Sequence, residues 1–228
     1  MNRILEVCLI AVTLAASITP IAGGAQALQK GVSVQMAATS NALPMPDADR
    51  EDAWIVAVTA DGSVYFGIEP ITPAALAEKI KAAPSGGGKK LYIKADARTE
   101  YSKVVKVLEA AHAAGAEAPI LLTSQPESSK GGIVAPRGLQ VLLGPPAGTE
   151  TTVVQMLTSK QAFPTVKVDD QQIPWNALQR RLGQGLQNAS DKTALVKADG
   201  QLPFAQVAHV ADVCSATGFR VVLVTPAE

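Results

Sequence analysis

The side chains with a claim to chemistry in this sequence are Glu6, Asp96, Asp199, His112, His209 and Cys214. Asp96 and Asp199 stand in the same setting, Lys94-Ala95-Asp96 and Lys197-Ala198-Asp199, and each is expected to end a strand just before a helix. A short carboxylate at such a turn accepts backbone N–H groups, so a structural role is favoured over acid–base catalysis. The two histidines do not form a pair, because within an internal repeat His112 aligns with Ser215 and His209 with Lys106. Solvated helix positions suit both. Cys214 falls on an apolar stripe with Val207, Val210 and Ala211, where a free cysteine serves as a small hydrophobe. The other cysteine, Cys8, lies in a distant apolar run, and neither a disulfide nor a metal-ligand spacing results. The stretch Ser-Gly-Gly-Gly-Lys-Lys from Ser85 lacks the strand and helix of a phosphate loop and reads as a plain loop. No cofactor, metal or covalent catalysis is implied. Glu6 differs, since an ionisable group at the edge of a membrane-spanning helix is costly. Burial raises its pKa, as a group that takes up and releases protons requires. The plainer alternative puts Glu6 near the headgroups, or in a segment that is removed.

The elements that would position these residues begin with residues 1–30. Val7 to Gln29 carry no charge, and about 34 Å of helix would result, enough for a hydrocarbon core of about 30 Å. Arg3 and the terminal amine precede the run, so a spanning helix would leave the N-terminus in the cytoplasm and residues 31–228 outside it. The same stretch also fits a signal peptide cut after Ala27, with Ala25 and Ala27 as the small pair. Both readings export the rest of the chain. The 20 basic and 20 acidic residues balance, and no basic run interleaved with aromatics marks a nucleic-acid partner.

The exported part is a repeat. Tyr92 to Gly115, YIKADARTEYSKVVKVLEAAHAAG, lies over Leu195 to Gly218, LVKADGQLPFAQVAHVADVCSATG, without a gap at a constant offset of 103, as 197 − 94 and 218 − 115 both give. Tyr101 pairs with Phe204, and apolar runs follow both copies. Upstream, Ile71 pairs with Ile173 and Leu76 with Leu178 at an offset of 102. A supersecondary unit repeated in tandem accounts for this. The expected division is residues 31–127, a linker at 128–137 and residues 138–228.

Within one copy, Trp54 to Thr59 and Val64 to Phe66 flank Asp61-Gly62, a hairpin signal. Thr72 is the expected N-cap of a short helix with Pro73 at its first position and Ile71 and Leu76 as a staple. A strand is expected at Leu91 to Lys94. Thr99 is the candidate cap of a helix whose apolar face carries Tyr101, Val104, Val105, Leu108 and Ala111. Gly115, and Gly218 in the second copy, end that helix as C′ residues, and a strand at Pro119 to Thr123 closes the unit. The predicted fold is α+β: two tandem β-β-α-β-α-β sandwiches, each with two helices on one face of a small sheet, after one N-terminal hydrophobic helix.

With its strand ending in Lys-Ala-Asp, a helix after an aromatic, glycine at the helix end and a final apolar strand, the sequence resembles the ExbD/TolR family of biopolymer transport proteins, twice over. The N-terminal ILEVCLIAVTLAASITPIA is similar to the helix of that family, with Leu5-Glu6-Val7 on its carboxylate motif and Pro20 at a comparable distance from it. The usual threonine-proline before the motif is missing, and Glu6 stands where aspartate is usual. The resemblance implies a single-pass inner-membrane protein with periplasmic domains, Glu6 as proton-translocating carboxylate, and self-association as a dimer. It also implies a polytopic ExbB/TolQ-like partner, a TonB/TolA-like energised protein and no enzymatic activity. A secreted periplasmic module with two such domains and no proton coupling is the rival.

Overall fold

β-branched and aromatic side chains in Trp54–Val58 and Val64–Phe66 suit a pleated surface, and the two segments pair antiparallel with Val56 opposite Phe66. The turn between them passes through Gly62 at φ +86°, a backbone state that glycine adopts at no steric cost. The computed structural model describes residues 31–82, 90–116, 118–125, 136–185 and 192–224. The first copy comprises β1 (Leu43–Pro44), β2 (Trp54–Val58), β3 (Val64–Phe66), β4 (Glu69–Pro70), α1 (Pro73–Lys81), β5 (Leu91–Ala95), α2 (Tyr101–Ala113) and β6 (Ile120–Thr123). Strand β7 (Arg137–Gln140) leads to the second copy. That copy comprises β8 (Glu150–Leu157), β9 (Thr165–Val168), β10 (Gln171–Ile173), α3 (Leu178–Gly185), β11 (Lys192–Ala198), α4 (Phe204–Ala216) and β12 (Arg220–Val224).

The second sheet runs β10-β9-β8-β11-β12, and the matching order β4-β3-β2-β5-β6 lies inside a seven-stranded first sheet that β7 and β1 extend. The fold is mixed α+β with two sheets and four helices among the described residues. The short edge strands β4 and β10 add one member to the expected strand order. Asp169 and Asp170, at φ 48° and 66°, form the two-residue turn into β10, a hairpin geometry in which Asp-Asp takes the place of the usual glycine.

Hydrogen bonds set the alignment of the copies. The Asp96 N–H donates to Val58 and the Asp199 N–H to Met156, so β2 and β8 match at an offset of 98. The helices that follow match at 102, and the difference of four residues lies in the longer β8–β9 loop. Thr72 caps α1 by accepting from the Ala75 N–H at 3.2 Å. Gly115 and Gly218 both sit at φ +86°. The N–H groups of Gly115 and Ala116 return to His112 and Ala111, and those of Gly218 and Phe219 to Ser215 and Cys214, the same Schellman closure twice.

One contiguous apolar cluster joins both copies, with Val56, Ile93, Val104 and Leu108 of the first and Met156, Val196, Phe204 and Val207 of the second. The opposite face of the first sheet, Ile55, Tyr92, Ile120 and Leu122, is covered by Met36, Met45 and Ala48 from the chain that leads into it. Arg137, the last residue of the expected linker, already begins β7, which pairs antiparallel with β6 of the first copy. Two residues past the end of β7, Leu142 bridges Val222 of β12 in the second copy, donating to Val221 and accepting from Leu223. This lead-in is therefore a strand of the first sheet and touches the second through a single bridge.

Candidate functional site

The segment that the sequence repeats meets its own twin. After β5 the chain from Ala97 to Ser102 runs antiparallel to the chain from Gly200 to Ala205, with Glu100 opposite Pro203. The Tyr101 N–H donates to the Leu202 carbonyl at 2.8 Å, and its twin, the Phe204 N–H, donates to the Thr99 carbonyl at 2.8 Å. The Ser102 N–H donates to Gly200 at 2.9 Å, and the Ala205 N–H to Ala97 at 3.0 Å. Every bond has its mate at an offset of 103, so a pseudo-twofold axis passes between Glu100 and Pro203. The loops approach closely, for a Cβ on Gly200 would lie 3.1 Å from that of Ser102.

This pairing corrects the expectation for Thr99. The N-cap of α2 is Glu100, that of α4 is Pro203, and neither makes a side-chain cap bond. The first N–H groups of each helix, which normally need a cap, are satisfied by carbonyls of the other copy. Thr99 is fully buried instead, and neither its hydroxyl nor that of the equally buried Tyr101 finds a hydrogen-bond partner among the described residues.

Asp96 and Asp199 hold the turns that enter this contact. Asp96 is 3% exposed and accepts from the N–H groups of Arg98 and Gln35, each at 3.1 Å. It also receives a fork from the Arg98 side chain, Nε at 2.8 Å and Nη2 at 2.9 Å. Those Arg98 bonds lead the effects that hold its carboxyl down at about 2. Asp199 accepts from the Thr158 hydroxyl at 2.7 Å and the Gln201 N–H at 3.1 Å, and these bonds also lower its pKa. Two carboxylates kept ionised in this way are poor proton carriers and good turn supports. Next to Asp96, Lys94 is 2% exposed, and burial pushes its ammonium down.

The remaining candidates are dispersed. His112 is exposed on α2. His209, expected to be solvated, is half-buried and stacks on Trp175 at 5.0 Å, while Trp175 stacks on Phe163 at 5.5 Å. Phe163 reaches this ladder from the lengthened β8–β9 loop, which places it over α4. Cys214 is fully buried, and that burial raises its thiol to about 12. Glu6, Cys8 and the apolar run lie outside the described residues, among which no helix is long and apolar enough to cross a membrane.

Asp212 escaped the sequence reading. It is 2% exposed and accepts from the Ser40 N–H at 2.9 Å, the Asn41 N–H at 3.1 Å and the Asn41 amide at 3.0 Å. The signal was a carboxylate set between Ala211 and Val213 on an otherwise apolar helix. Together these contacts join the two copies through twin turns and a shared apolar cluster, with no catalytic constellation among the described residues. A family model described as biopolymer transport protein ExbD/TolR matches residues 4–126 and again residues 124–228. No curated protein and no solved structure matches the chain.

Proposed function

The chain belongs to the ExbD/TolR family of biopolymer transport proteins, and from that premise we propose that it is a subunit of an energy transducer driven by the proton-motive force. Family membership carries a role in biopolymer transport and energy transduction, as an accessory protein and not as an enzyme. The observation that carries the finer reading is the start of the first match at residue 4, so that the family's pattern takes in the apolar run and Glu6. In this reading residues 4–26 cross the inner membrane once, and Glu6 takes up and releases a proton against an ExbB/TolQ-like polytopic subunit. The two periplasmic domains then pass the resulting motion to a TonB/TolA-like protein. Their pairing within one chain supplies the two-domain body for which single-domain subunits would have to associate.

Replacing Glu6→Gln in cells tests the proton role. Transport or envelope integrity is expected to fall to the level of a deletion with normal amounts of protein, and unchanged function would overturn the assignment. Sequencing the mature N-terminus separates the anchor from the secreted module. A retained Met1 or Asn2 supports the anchor, and a start at Leu28 supports cleavage after Ala27.

A further inference from the structure

The outer faces of the two sheets hold matching positions in opposite states. Side chains alternate along a strand, and Val154, Met156, Val196 and Leu223 belong to the shared cluster. The residues between them, Val153, Gln155, Leu195, Lys197 and Val224, therefore point to the other side. The registers set Val153, Leu195 and Val222 in one row of that face, and Lys167, Gln155, Lys197 and Val224 in the next. The same strand positions of the first copy are Ile55, Tyr92 and Ile120, then Ala57, Lys94 and Leu122. All six are at most 3% exposed, under a cover that includes Met36, Met45, Ala48 and Ala53. In the second copy Val153, Leu195 and Val224 are half-buried and Lys197 is exposed. Residues 141–149 reach only the margin of its outer face, where Leu142 bridges Val222 and the Thr149 hydroxyl accepts from that of Thr193 at 3.4 Å. Among the described residues, one sheet has a cover on this side and the other has none.

The bare face and the cover are complementary. Lys167, Lys197 and Arg220 are the charged side chains that the strands turn to the bare face, beside its apolar row, and among the described residues those strands turn no carboxylate to that side. The cover turns the reverse outward, for Asp47, Asp49, Glu51 and Asp52 are all exposed. Arg50 pairs with Asp52 at 3.3 Å and Lys90 with Asp47 at 3.8 Å, which sets four carboxylates against two cations. Leu43, 66% exposed, stands next to these acids with the exposed Pro44 and Pro46. Asp212 and Arg137 bind residues 40–42 and the cover packs on the first sheet, so it can meet the bare face only on another molecule.

We infer that the outer face of the second sheet docks the acidic cover, residues 43–52, of a second copy of this chain. The apolar row receives the leucine and prolines, and the lysine row faces the carboxylates. Opposed charges of this kind fix the orientation of a contact and exclude like-charged alternatives. Each molecule carries one cover and one bare face, which are different surfaces, so the contact is head to tail and extends to a ring or an open row. The inference does not depend on proton coupling, and it holds for an anchored or a secreted chain alike.

The test is carbodiimide cross-linking of the full chain in a nonionic detergent, with isotope-labelled and unlabelled protein mixed in equal amounts and the linked peptides read by mass spectrometry. Mixed-label links from Lys167 or Lys197 to the carboxylates of residues 47–52 are expected, and they should fall about tenfold between about 50 mM and about 500 mM salt. Lys197→Glu, at an exposed position, should lower them by about fivefold or more. The double variant Asp49→Lys/Lys197→Glu should restore links between the same two positions. Links confined to peptides of one label, or mixed-label links that Lys197→Glu leaves unchanged, would overturn the inference. Sedimentation with phosphatidylglycerol vesicles that Lys197→Glu abolishes, in the absence of mixed-label links, would overturn it in favour of an anionic lipid surface.

Discussion

At matched positions the first copy carries Pro73, Tyr101, Lys106 and Glu109 where the second carries Trp175, Phe204, His209 and Asp212. The backbones around them coincide in plan, down to the paired helix starts and the glycine-closed helix ends. The side chains diverge where the surroundings are not symmetric. Glu109 lies at the rim of an open groove, whereas Asp212 is buried under residues 40–41 of the leading chain. Symmetry is therefore kept where two backbones must meet and relaxed wherever only one copy has a neighbour. Two identical subunits could not make this distinction, because a change in one would be made in both.

The strongest way to break the equivalence is at the axis. Phe204 is fully buried in the cluster shared by both copies, and Phe204→Ala should cost about 3–5 kcal/mol. Urea unfolding followed by Trp54 in the first copy and by Trp175 in the second should nevertheless give coincident transitions. Separate transitions would show that the copies fold independently and that the common core does not couple them.

A smaller effect distinguishes the two aspartates. The carboxyl of Asp96 is lowered to about 2 from an ordinary 3.8. A group depressed in the folded state adds stability that is present above its unfolded pKa and lost as pH falls through the folded value. The shift corresponds to about 2 kcal/mol, and exposure of the Arg98 partner to solvent reduces this to about 1–2 kcal/mol. Urea midpoints measured between pH 7 and about pH 1.5 should therefore drop between about pH 5 and pH 2. Asp96→Asn should flatten that drop more than Asp199→Asn does, since Asp96 is held by the Arg98 guanidinium fork, whereas the Thr158 hydroxyl and backbone N–H groups hold Asp199. Equal flattening by the two variants would remove the distinction.

The smallest expected effect is a gain. Tyr101 buries a hydroxyl for which the described residues hold no partner, while its twin Phe204 has none to satisfy. Tyr101→Phe should raise stability by about 1 kcal/mol, read as a higher melting temperature. A loss of stability would mean that the hydroxyl is hydrogen-bonded after all.

Local chemistry made much of this fold legible in the sequence. Asp61-Gly62 marked a hairpin, Thr72-Pro73 a helix start, and Gly115 and Gly218 helix ends, because each depends on a few neighbouring residues. Thr99 was misread for the opposite reason, since the groups that cap α2 come from a segment about a hundred residues away. The ladder of Phe163, Trp175 and His209 and the acceptor role of Asp212 depend likewise on contacts between distant segments, and periodicity does not report them. The repeat was plain as two copies, but their mutual pairing required the geometry of the turns.

The lead-in from Arg137 to Leu142 ties the first sheet to β12 of the second, and it bears on how the pair responds to dilution. Two separate chains would meet at a rate set by their concentration, but tethered partners experience an effective concentration on the order of millimolar. Even a modest interface then stays closed in a compartment where the protein is scarce. The one-to-one ratio of the two domains is set by covalent connection and not by expression level.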